Sequence, residues 1–246
     1  MESPRTAAAL VIGSELLSGK VAETNVLLLA RTLRSMGIVL DRVVIVLDER
    51  EVIAQEVRQL SSSHDVVFTS GGMGPTHDDV TVQAVADAFG VGTVVPELTR
   101  GLLEEHFGDT ITEGHLQMAK VPEGARLVRA PKAPWPTVVM RNVWLLPGVP
   151  QIFARKMALV RAELGSDRPF VSRSLRTNLD ECSIKPHLDR VVADHPEVAI
   201  GSYPQWRTEG YCTEVTFDGA EEAPVRRAHD ALAEALPAGS IEPEEE

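Results

Sequence analysis

The 246-residue sequence predicts an α/β protein, in which helices cover a mostly parallel sheet and a smaller α+β domain follows. Two observations predict it. Up to about residue 165, short apolar runs alternate with segments of helical periodicity, the order typical of a parallel sheet. After that point the order changes to strand, helix, two strands and helix. We therefore expect two domains, residues 1–166 and 167–246.

Each element of the first domain follows from an apolar pattern bounded by turn residues. Thr24 is expected to cap the first long helix and Gly37 to end it. Pro150 suits the first position of the last helix. The expected elements are strands over 7–12, 42–47 and 65–68, helices over 25–36, 51–60 and 82–89, a hairpin or two short strands over 137–146 around Arg141-Asn142, and a helix over 151–164.

The second domain is predicted from shorter patterns. Its helix contains Pro186, which fits only if this residue lies in the first turn. The expected elements are strands over 170–177, 198–203 and 210–217 and helices over 180–193 and 222–236. Residues 242–246 are mostly glutamate and are expected to form a solvated end.

Composition excludes several classes of protein. The net charge is −12 with no cluster of Lys or Arg, which argues against nucleic acid as the partner. No apolar run approaches the length of a membrane span, and residues 1–6 do not resemble a signal peptide. Cys182 and Cys212 lie far apart and are expected to be free thiols. We expect a cytoplasmic protein that binds neither nucleic acid nor membrane.

The segment 68–81 is the most informative part of the chain. It joins a buried strand to a helix and contains three glycines, hydroxyl side chains and the adjacent carboxylates of Asp78 and Asp79. Glycines permit close approach to a ligand, and a helix start suits a phosphate. A divalent cation would reconcile phosphate with carboxylates. The alternative is a glycine-rich turn that serves structure alone, which many α/β proteins contain.

Further carboxylates follow the other predicted strands. Glu15 follows the first strand and Asp48 the second, and in a parallel sheet both would approach the same edge as Asp78 and Asp79. Such a gathering repels itself unless a cation lies within it. For Asp48, a helix cap is an equally good interpretation. The segment 13–21 is not a P-loop, because its glycines are one residue too far apart and Val21 replaces the required Ser or Thr.

Three segments together resemble a known family: 13–19 with Asn25, then 69–81, then 146–150. They are similar to the molybdopterin-binding domain of molybdenum-cofactor biosynthesis, and within it to the branch of competence/damage-inducible protein A and the N-terminal domain of FAD synthases. The resemblance covers about residues 7–164. It extends into the second domain through 200–204 and 236–240.

The resemblance implies a three-layer α/β sandwich and either of two functions. One is metal-dependent hydrolysis of a nucleotide pyrophosphate, such as ADP-ribose or FAD, to AMP and a phosphorylated product. The other is a non-catalytic module that binds molybdopterin or a nucleotide. A homo-oligomer, dimer or trimer, is implied as well.

Site residues follow from the same resemblance. Asp78 and Asp79 would be catalytic and hold a divalent ion, Mg²⁺, Mn²⁺ or Co²⁺, with Glu15 and Asp48 as further ligands; K⁺ is another candidate ion. The implied phosphate or substrate contacts are Gly13, Ser70, Gly71, Gly72, Gly74, Thr76, Gly148 and Pro150. The loop 129–136 departs from the family pattern, which puts substrate identity and activity in question.

Overall fold

Four parallel strands form the centre of the larger part of the protein. In the computed structural model, which describes residues 5–129, 135–165, 169–205 and 212–242, the chain divides into two compact units, 1–167 and 168–246. The boundary expected at 166/167 lies outside the described residues. The strands of the larger unit are β1 (Thr6–Ile12), β2 (Val39–Val46), β3 (Val66–Ser70), β4 (Thr93–Val94), β5 (Val121–Pro122), β6 (Arg126–Val128), β7 (Thr137–Met140) and β8 (Val143–Leu146).

The main sheet has the order β2-β1-β3-β8-β7-β6. Strands β2, β1, β3 and β8 are parallel, and β7 and β6 join by antiparallel pairing. A separate pair, β4 and β5, is antiparallel. The helices of this unit are α1 (Ser14–Leu17), α2 (Asn25–Arg34), α3 (Arg50–Ser63), α4 (Thr81–Phe89), α5 (Glu97–Phe107), α6 (Glu113–Ala119) and α7 (Pro150–Leu164), with a 3₁₀ turn over Gly108–Thr110.

Helices cover both faces of this sheet because successive strand residues point to opposite sides. Ala7 and Ala9 of β1 belong to the core beneath α2 and α7, whereas Ala8 and Leu10 belong to the core beneath α3 and α4. On the first face Phe68 packs near Trp144, with ring centroids 6.2 Å apart. The α/β three-layer architecture with a mostly parallel sheet is confirmed.

The predicted elements correspond to observed ones with shifts of a few residues at their ends. The cap of α2 is different from the one expected: the Thr24 side chain makes no capping bond, and the Glu23 carboxylate accepts from the backbone N–H groups of Asn25 and Val26 at 2.8–3.1 Å. A carboxylate is the stronger acceptor at this position because the helix N-terminus carries partial positive charge. No element was predicted for residues 93–128, where β4, α5, α6, β5 and β6 lie.

The smaller unit is an antiparallel sheet with two helices. Its strands are β9 (Val171–Thr177), β10 (Ala199–Pro204) and β11 (Thr213–Gly219), and its helices α8 (Glu181–Asp194) and α9 (Glu222–Ala235). The sheet order is β10-β11-β9, and a core that includes Leu175, Phe217 and Val225 lies between sheet and helices. This α+β arrangement agrees with the sequence.

One prediction about this unit is wrong. Pro186 is the sixth residue of α8, beyond the first turn. The helix continues past it, at the cost of the backbone bond that the Cys182 carbonyl would otherwise accept. Cys182 and Cys212 are both free and exposed, as expected. None of the helices that the structure describes combines the length and apolar composition that a membrane crossing requires.

Candidate functional site

The glycines after β3 are required by the packing of the backbone. Gly71 and Gly72 adopt positive φ angles of 112° and 64°. A Cβ atom at Gly71 would lie 2.1 Å from the carbonyl oxygen of Ile12, and one at Gly72 would lie 2.2 Å from Oγ1 of Thr81. The Thr81 hydroxyl in turn donates to the Gly71 carbonyl at 2.8 Å. The turn is therefore fixed by contacts within the protein, whatever it binds.

A second glycine loop is joined to the first. A Cβ atom at Gly148, in the turn between β8 and α7, would lie 3.2 Å from the Cα atom of Gly71. Asn25, at the start of α2, donates through Nδ2 to the Gly148 carbonyl at 2.8 Å and to Oγ of Ser70 at 3.0 Å. Three segments that are distant in sequence thus meet at the carboxyl end of the sheet.

Asp79 is held by the residue at the start of its turn. The backbone N–H of Thr76 donates to Oδ2 of Asp79 at 2.8 Å and the Thr76 hydroxyl donates to the same oxygen at 2.5 Å. Gly74 makes room for this carboxylate, because a Cβ atom there would lie 2.6 Å from Oδ2. The described residues donate to only one oxygen of Asp79, so the other is available to a ligand or cation.

Asp78 is exposed beside His77. The nearby Thr76 hydroxyl, the backbone N–H of Asp78 itself and the charge of His77 lower the pKa of the Asp78 carboxyl below its ordinary value. The Thr76 hydroxyl has one proton, and its short contact is with Asp79, so it serves one carboxylate at a time. Because the pKa of Asp78 is lowered from an ordinary value that is itself far below neutral, the carboxyl is ionised at neutral pH, which is the state that a cation ligand needs.

Asp48 connects the loops after β1 and β2. The backbone N–H and the hydroxyl of Ser14 donate to Oδ2 of Asp48 at 2.7 and 2.8 Å. Asp48 is therefore not the cap of the helix that follows it, since α3 begins after Glu49 and has no side-chain cap. Its carboxylate instead accepts from the first residue of α1 in the neighbouring loop. Here too the described residues donate to only one carboxylate oxygen.

A cleft of about 630 Å³ opens at this edge of the sheet. Five carboxylates line it, and none of its lining residues that the structure describes is Lys or Arg. A recess of about 580 Å³ adjoins the cleft and is lined by Glu15, Asp48 and Asp78 together with Lys20 and His77. The carboxylates in the cleft are Glu15, Glu23, Asp48, Asp78 and Asp79.

The helix ends at the cleft differ in their charge balance. Helix α7 begins there at Pro150, and no side chain caps it, so its partial positive charge is available to an anion. At α2 the Glu23 carboxylate already occupies this position. Helix α4 begins at Thr81, outside the cleft lining, so the helix start that can meet a phosphate is that of α7.

The donor set suits a cation that is shared with a ligand. Among the described residues, no three His, Cys, Asp or Glu side chains lie close enough together to hold a metal ion on their own. Mg²⁺ is usually bound by one or two carboxylates plus substrate phosphates, not by a cage of protein groups. Asp79 and Asp48, each anchored through one oxygen, and the exposed carboxylate of Asp78 fit that mode of binding.

The structure brings almost all predicted site residues to this cleft. Thr76 is the exception: it lies outside the lining and contributes by donating hydrogen bonds to the Asp79 carboxylate. Of the loop 129–136, residues 130–134 lie outside the described residues. Sequence reasoning did not assign roles to Glu23 and Thr81, or a contact to Asn25, although Asn25 formed part of the family motif. The residues brought together are Gly13, Glu15, Asp48, Ser70, Gly71, Gly72, Gly74, Asp78, Asp79, Gly148 and Pro150.

Fold and cleft together define an α/β domain with a cleft at the carboxyl ends of its parallel strands, which is where such sheets bind their ligands. Residues 8–164 match the family described as a probable molybdopterin binding domain, and residues 169–245 match the middle domain of FAD synthase. The chain belongs to the molybdopterin-binding domain family. The resemblance seen in the sequence, including its competence-protein and FAD-synthase branch, is confirmed.

Known relatives agree with this assignment. A protein of Archaeoglobus fulgidus is 32% identical over 227 residues, which cover 92% of this chain and 95% of that protein. A probable FAD synthase of Caenorhabditis elegans is 29% identical over 268 residues, covering 98% of this chain and 51% of that protein. The chain thus spans about half the length of that synthase.

A solved structure is also similar. The crystal structure of the protein CinA with unknown function from Thermoplasma acidophilum has a TM-score of 0.61 and 27% identity. The match covers 66% of this chain and 99% of that one. The expected cytoplasmic location and oligomeric state stay predictions.

Proposed function

We propose that this protein is a divalent-metal-dependent hydrolase of nucleotide pyrophosphates such as ADP-ribose and FAD. One observation carries the proposal: the cleft has five carboxylates and no Lys or Arg among its described lining residues. A pyrophosphate carries negative charge, and bare carboxylates would repel it. A divalent cation between the two removes this conflict, which is how carboxylate sites usually hold Mg²⁺ with phosphates.

The residues that line the cleft would have two roles, to hold the cation and to bind the phosphates. Asp78 and Asp79 would hold the cation, with Asp48 and Glu15 completing the acidic wall. A divalent ion, when bound there, would polarise phosphoryl oxygens and lower the pKa of water. The N-terminus of α7 at Pro150 would stabilise negative charge on the phosphates.

The reaction needs no side-chain nucleophile. The oxygen of water would form a bond to phosphorus, and the bond from that phosphorus to the bridging oxygen would break. With ADP-ribose the products would be AMP and ribose 5-phosphate, and with FAD they would be AMP and FMN. A carboxylate of the acidic wall would accept the proton that water loses.

A non-catalytic molybdopterin- or nucleotide-binding module is the second candidate. The match of residues 8–164 to a probable molybdopterin binding domain favours it. The two candidates differ in one observable, which is turnover.

Chromatography of products separates them. The purified chain is incubated with ADP-ribose, FAD or NAD, with Mg²⁺, Mn²⁺ or Co²⁺ or with EDTA. The proposal expects AMP to appear only with a divalent ion, and expects Asp79→Asn to lower the rate at least ~100-fold while thermal unfolding stays unchanged. Absence of AMP under all conditions, together with binding of a pterin, would establish the second candidate instead.

Glu163→Gln provides a matched control. Glu163 is also a carboxylate of the larger unit, but it pairs with Arg126 at 2.6 Å and does not line the cleft. Its substitution removes one negative charge and should leave turnover within about twofold of wild type. An equal loss in both variants would mean that overall charge, not the cleft, is responsible.

A further inference from the structure

The orientation of the Asn25 amide is fixed by its two partners. Its side chain is buried, with 6% of its surface exposed, and Nδ2 donates to the Gly148 carbonyl and to Oγ of Ser70. The Gly148 carbonyl can only accept a hydrogen bond, so the nitrogen and not the oxygen of the amide must face it. Both Nδ2 protons are therefore used, one for each partner.

This assignment determines what Ser70 can do. Oγ of Ser70 accepts from Asn25, so its own proton is not used in that bond. In the part of the chain that the structure describes, no group accepts the Ser70 proton. Ser70 ends β3 and lines the cleft, with 6% of its surface exposed. Its proton is thus available to a molecule in the cleft.

We propose that Asn25 is a positioning residue that keeps the Ser70 hydroxyl a donor, so that Ser70 donates to an anionic phosphate oxygen of the bound ligand. The inference rests on the proposed function, since it takes the ligand to be a nucleotide diphosphate. It adds a direct neutral contact to phosphate in a cleft whose ionisable side chains, among the described lining residues, are all acidic. It also predicts that a carboxylate of the same size at position 25 would weaken ligand binding.

Asn25→Asp reverses the direction of the hydrogen bond. A carboxylate can only accept, so Ser70 would donate to the new carboxylate and present lone pairs to the ligand. Ser70→Ala removes the donor altogether. A hydrogen bond to a charged group contributes enough that its loss weakens binding ~10-fold or more. Asn25→Asp should weaken it ~100-fold, because it also adds a negative charge near the phosphate.

The double variant gives the sharpest result. In the Asn25→Asp background the Ser70 proton is already diverted, so Ser70→Ala should cost less than about twofold more. Independent effects would instead multiply to ~1000-fold. A merely structural role of Asn25 predicts such independence for ligand binding. Asn25→Ala, which adds no acceptor, should leave Ser70 able to donate and should cost less than Asn25→Asp.

Isothermal titration of the full chain with ADP-ribose and Mg²⁺ measures these affinities, and inorganic pyrophosphate serves as a second probe. The deficit of Ser70→Ala should appear with both, since the contact is to phosphate. Thermal unfolding without ligand checks each fold. If Asn25→Asp does not fold, the same cycle is run with Asn25→Ala: because the Ser70 orientation is then no longer fixed, Ser70→Ala should cost less in that background than in wild type, and equal costs would contradict the positioning role.

Asn142→Asp is the matched control. The Nδ2 atom of Asn142, like that of Asn25, donates to two acceptors, here the carbonyls of Ser61 and His64, both at 3.0 Å. Asn142 directly precedes β8 and so lies at the amino ends of the parallel strands, opposite the cleft. Its substitution should lower the melting temperature, because two donated bonds are lost, and should leave binding unchanged.

Two negative results are distinguishable. If wild type binds ADP-ribose and Ser70→Ala binds it equally, or if the losses of Asn25→Asp and Ser70→Ala multiply, the inference fails while the proposed function stands. If wild type binds neither ADP-ribose nor FAD nor pyrophosphate, with or without Mg²⁺, both fail.

Discussion

The carbonyl oxygen of Ile12 lies only 2.1 Å from the position that a Cβ atom at Gly71 would take, so it excludes every residue but glycine there. Ile12 ends β1 and Gly71 directly follows β3, which pairs with β1, so neither backbone can move away without disturbing the centre of the sheet. The glycine turn of the site and the core of the fold are therefore the same structure at this point.

Gly71→Ala should consequently destabilise the larger unit by about 3 kcal/mol, because a positive φ angle and a backbone clash add. Urea unfolding followed by circular dichroism measures this. Gly90→Ala is the control: Gly90 has a φ of 69°, but no atom lies within 4 Å of the added methyl group. It should cost about 1 kcal/mol. Equal losses in the two variants would contradict the clash.

The Mg²⁺ dependence of turnover should show whether the Thr76 hydroxyl positions Asp79 for binding the cation. Thr76→Val removes the hydroxyl that holds Oδ2 of Asp79 but keeps the backbone bond. We expect the Mg²⁺ concentration for half-maximal turnover to rise about threefold to tenfold, since a hydrogen bond to an exposed carboxylate contributes about 1 kcal/mol. A Mg²⁺ titration of the initial rate measures it. An unchanged half-maximal concentration would show that this contact does not position Asp79.

Asp65 should make stability depend on acid pH. It accepts from the backbone N–H and the hydroxyl of Thr6 at 2.7 and 3.2 Å, and these bonds lower the pKa of its carboxyl below the ordinary 3.8. The ionised form is therefore favoured in the folded state. Its contribution is present above the unfolded pKa and is lost as the pH falls through the folded pKa.

Asp65→Asn tests this sign. Because the carboxylate is exposed and screened, we expect a loss of about 1 kcal/mol at pH 7. The difference in free energy of unfolding between wild type and variant should shrink as the pH falls below the ordinary value of 3.8 and this carboxylate is protonated. Urea unfolding at several pH values measures it. A difference that stays constant with pH would exclude a charge effect.

Lys156 should act at the alkaline end. It lies in α7 with 8% of its surface exposed, and Nζ donates to the Trp135 carbonyl at 2.7 Å. Burial lowers the pKa of its ammonium group below the ordinary 10.5. The folded chain therefore releases this proton at lower pH than the unfolded chain, and stability rises with pH between the two pKa values.

Lys156→Met removes this proton. The free energy of unfolding of wild type should thus increase relative to the variant as the pH rises from neutral towards the ordinary lysine pKa of 10.5. Urea unfolding at pH ~7, ~9 and ~10 measures the trend, whatever the offset caused by losing the bond to Trp135. A constant or falling difference would contradict the lowered pKa.

The sequence predicted the elements whose pattern is strong and local. Residues 7–12 form a continuous apolar run, and residues 65–68 end in one. Both segments form central strands of the sheet. The gathering of Glu15, Asp48, Asp78 and Asp79 in one cleft also followed, because parallel strands end at the same edge.

What was missed depends on tertiary contacts. Residues 93–128 contain three strands of only two or three residues, too short to show a periodicity, together with the helices α5 and α6, whose patterns were not identified. The cap of α2 by Glu23 and the extension of α8 past Pro186 are choices between local alternatives that packing decides. The bridge from Asn25 to Ser70 and Gly148 joins three separate segments, and only the folded chain shows it.

The close approach of Gly71 and Gly148 limits how the cleft can be altered. Here the two glycine loops meet main chain to main chain, so no side-chain exchange can widen or narrow the junction. Natural variation or engineering of ligand preference would have to act on other parts of the rim, such as Val21, Met118 or Ile152.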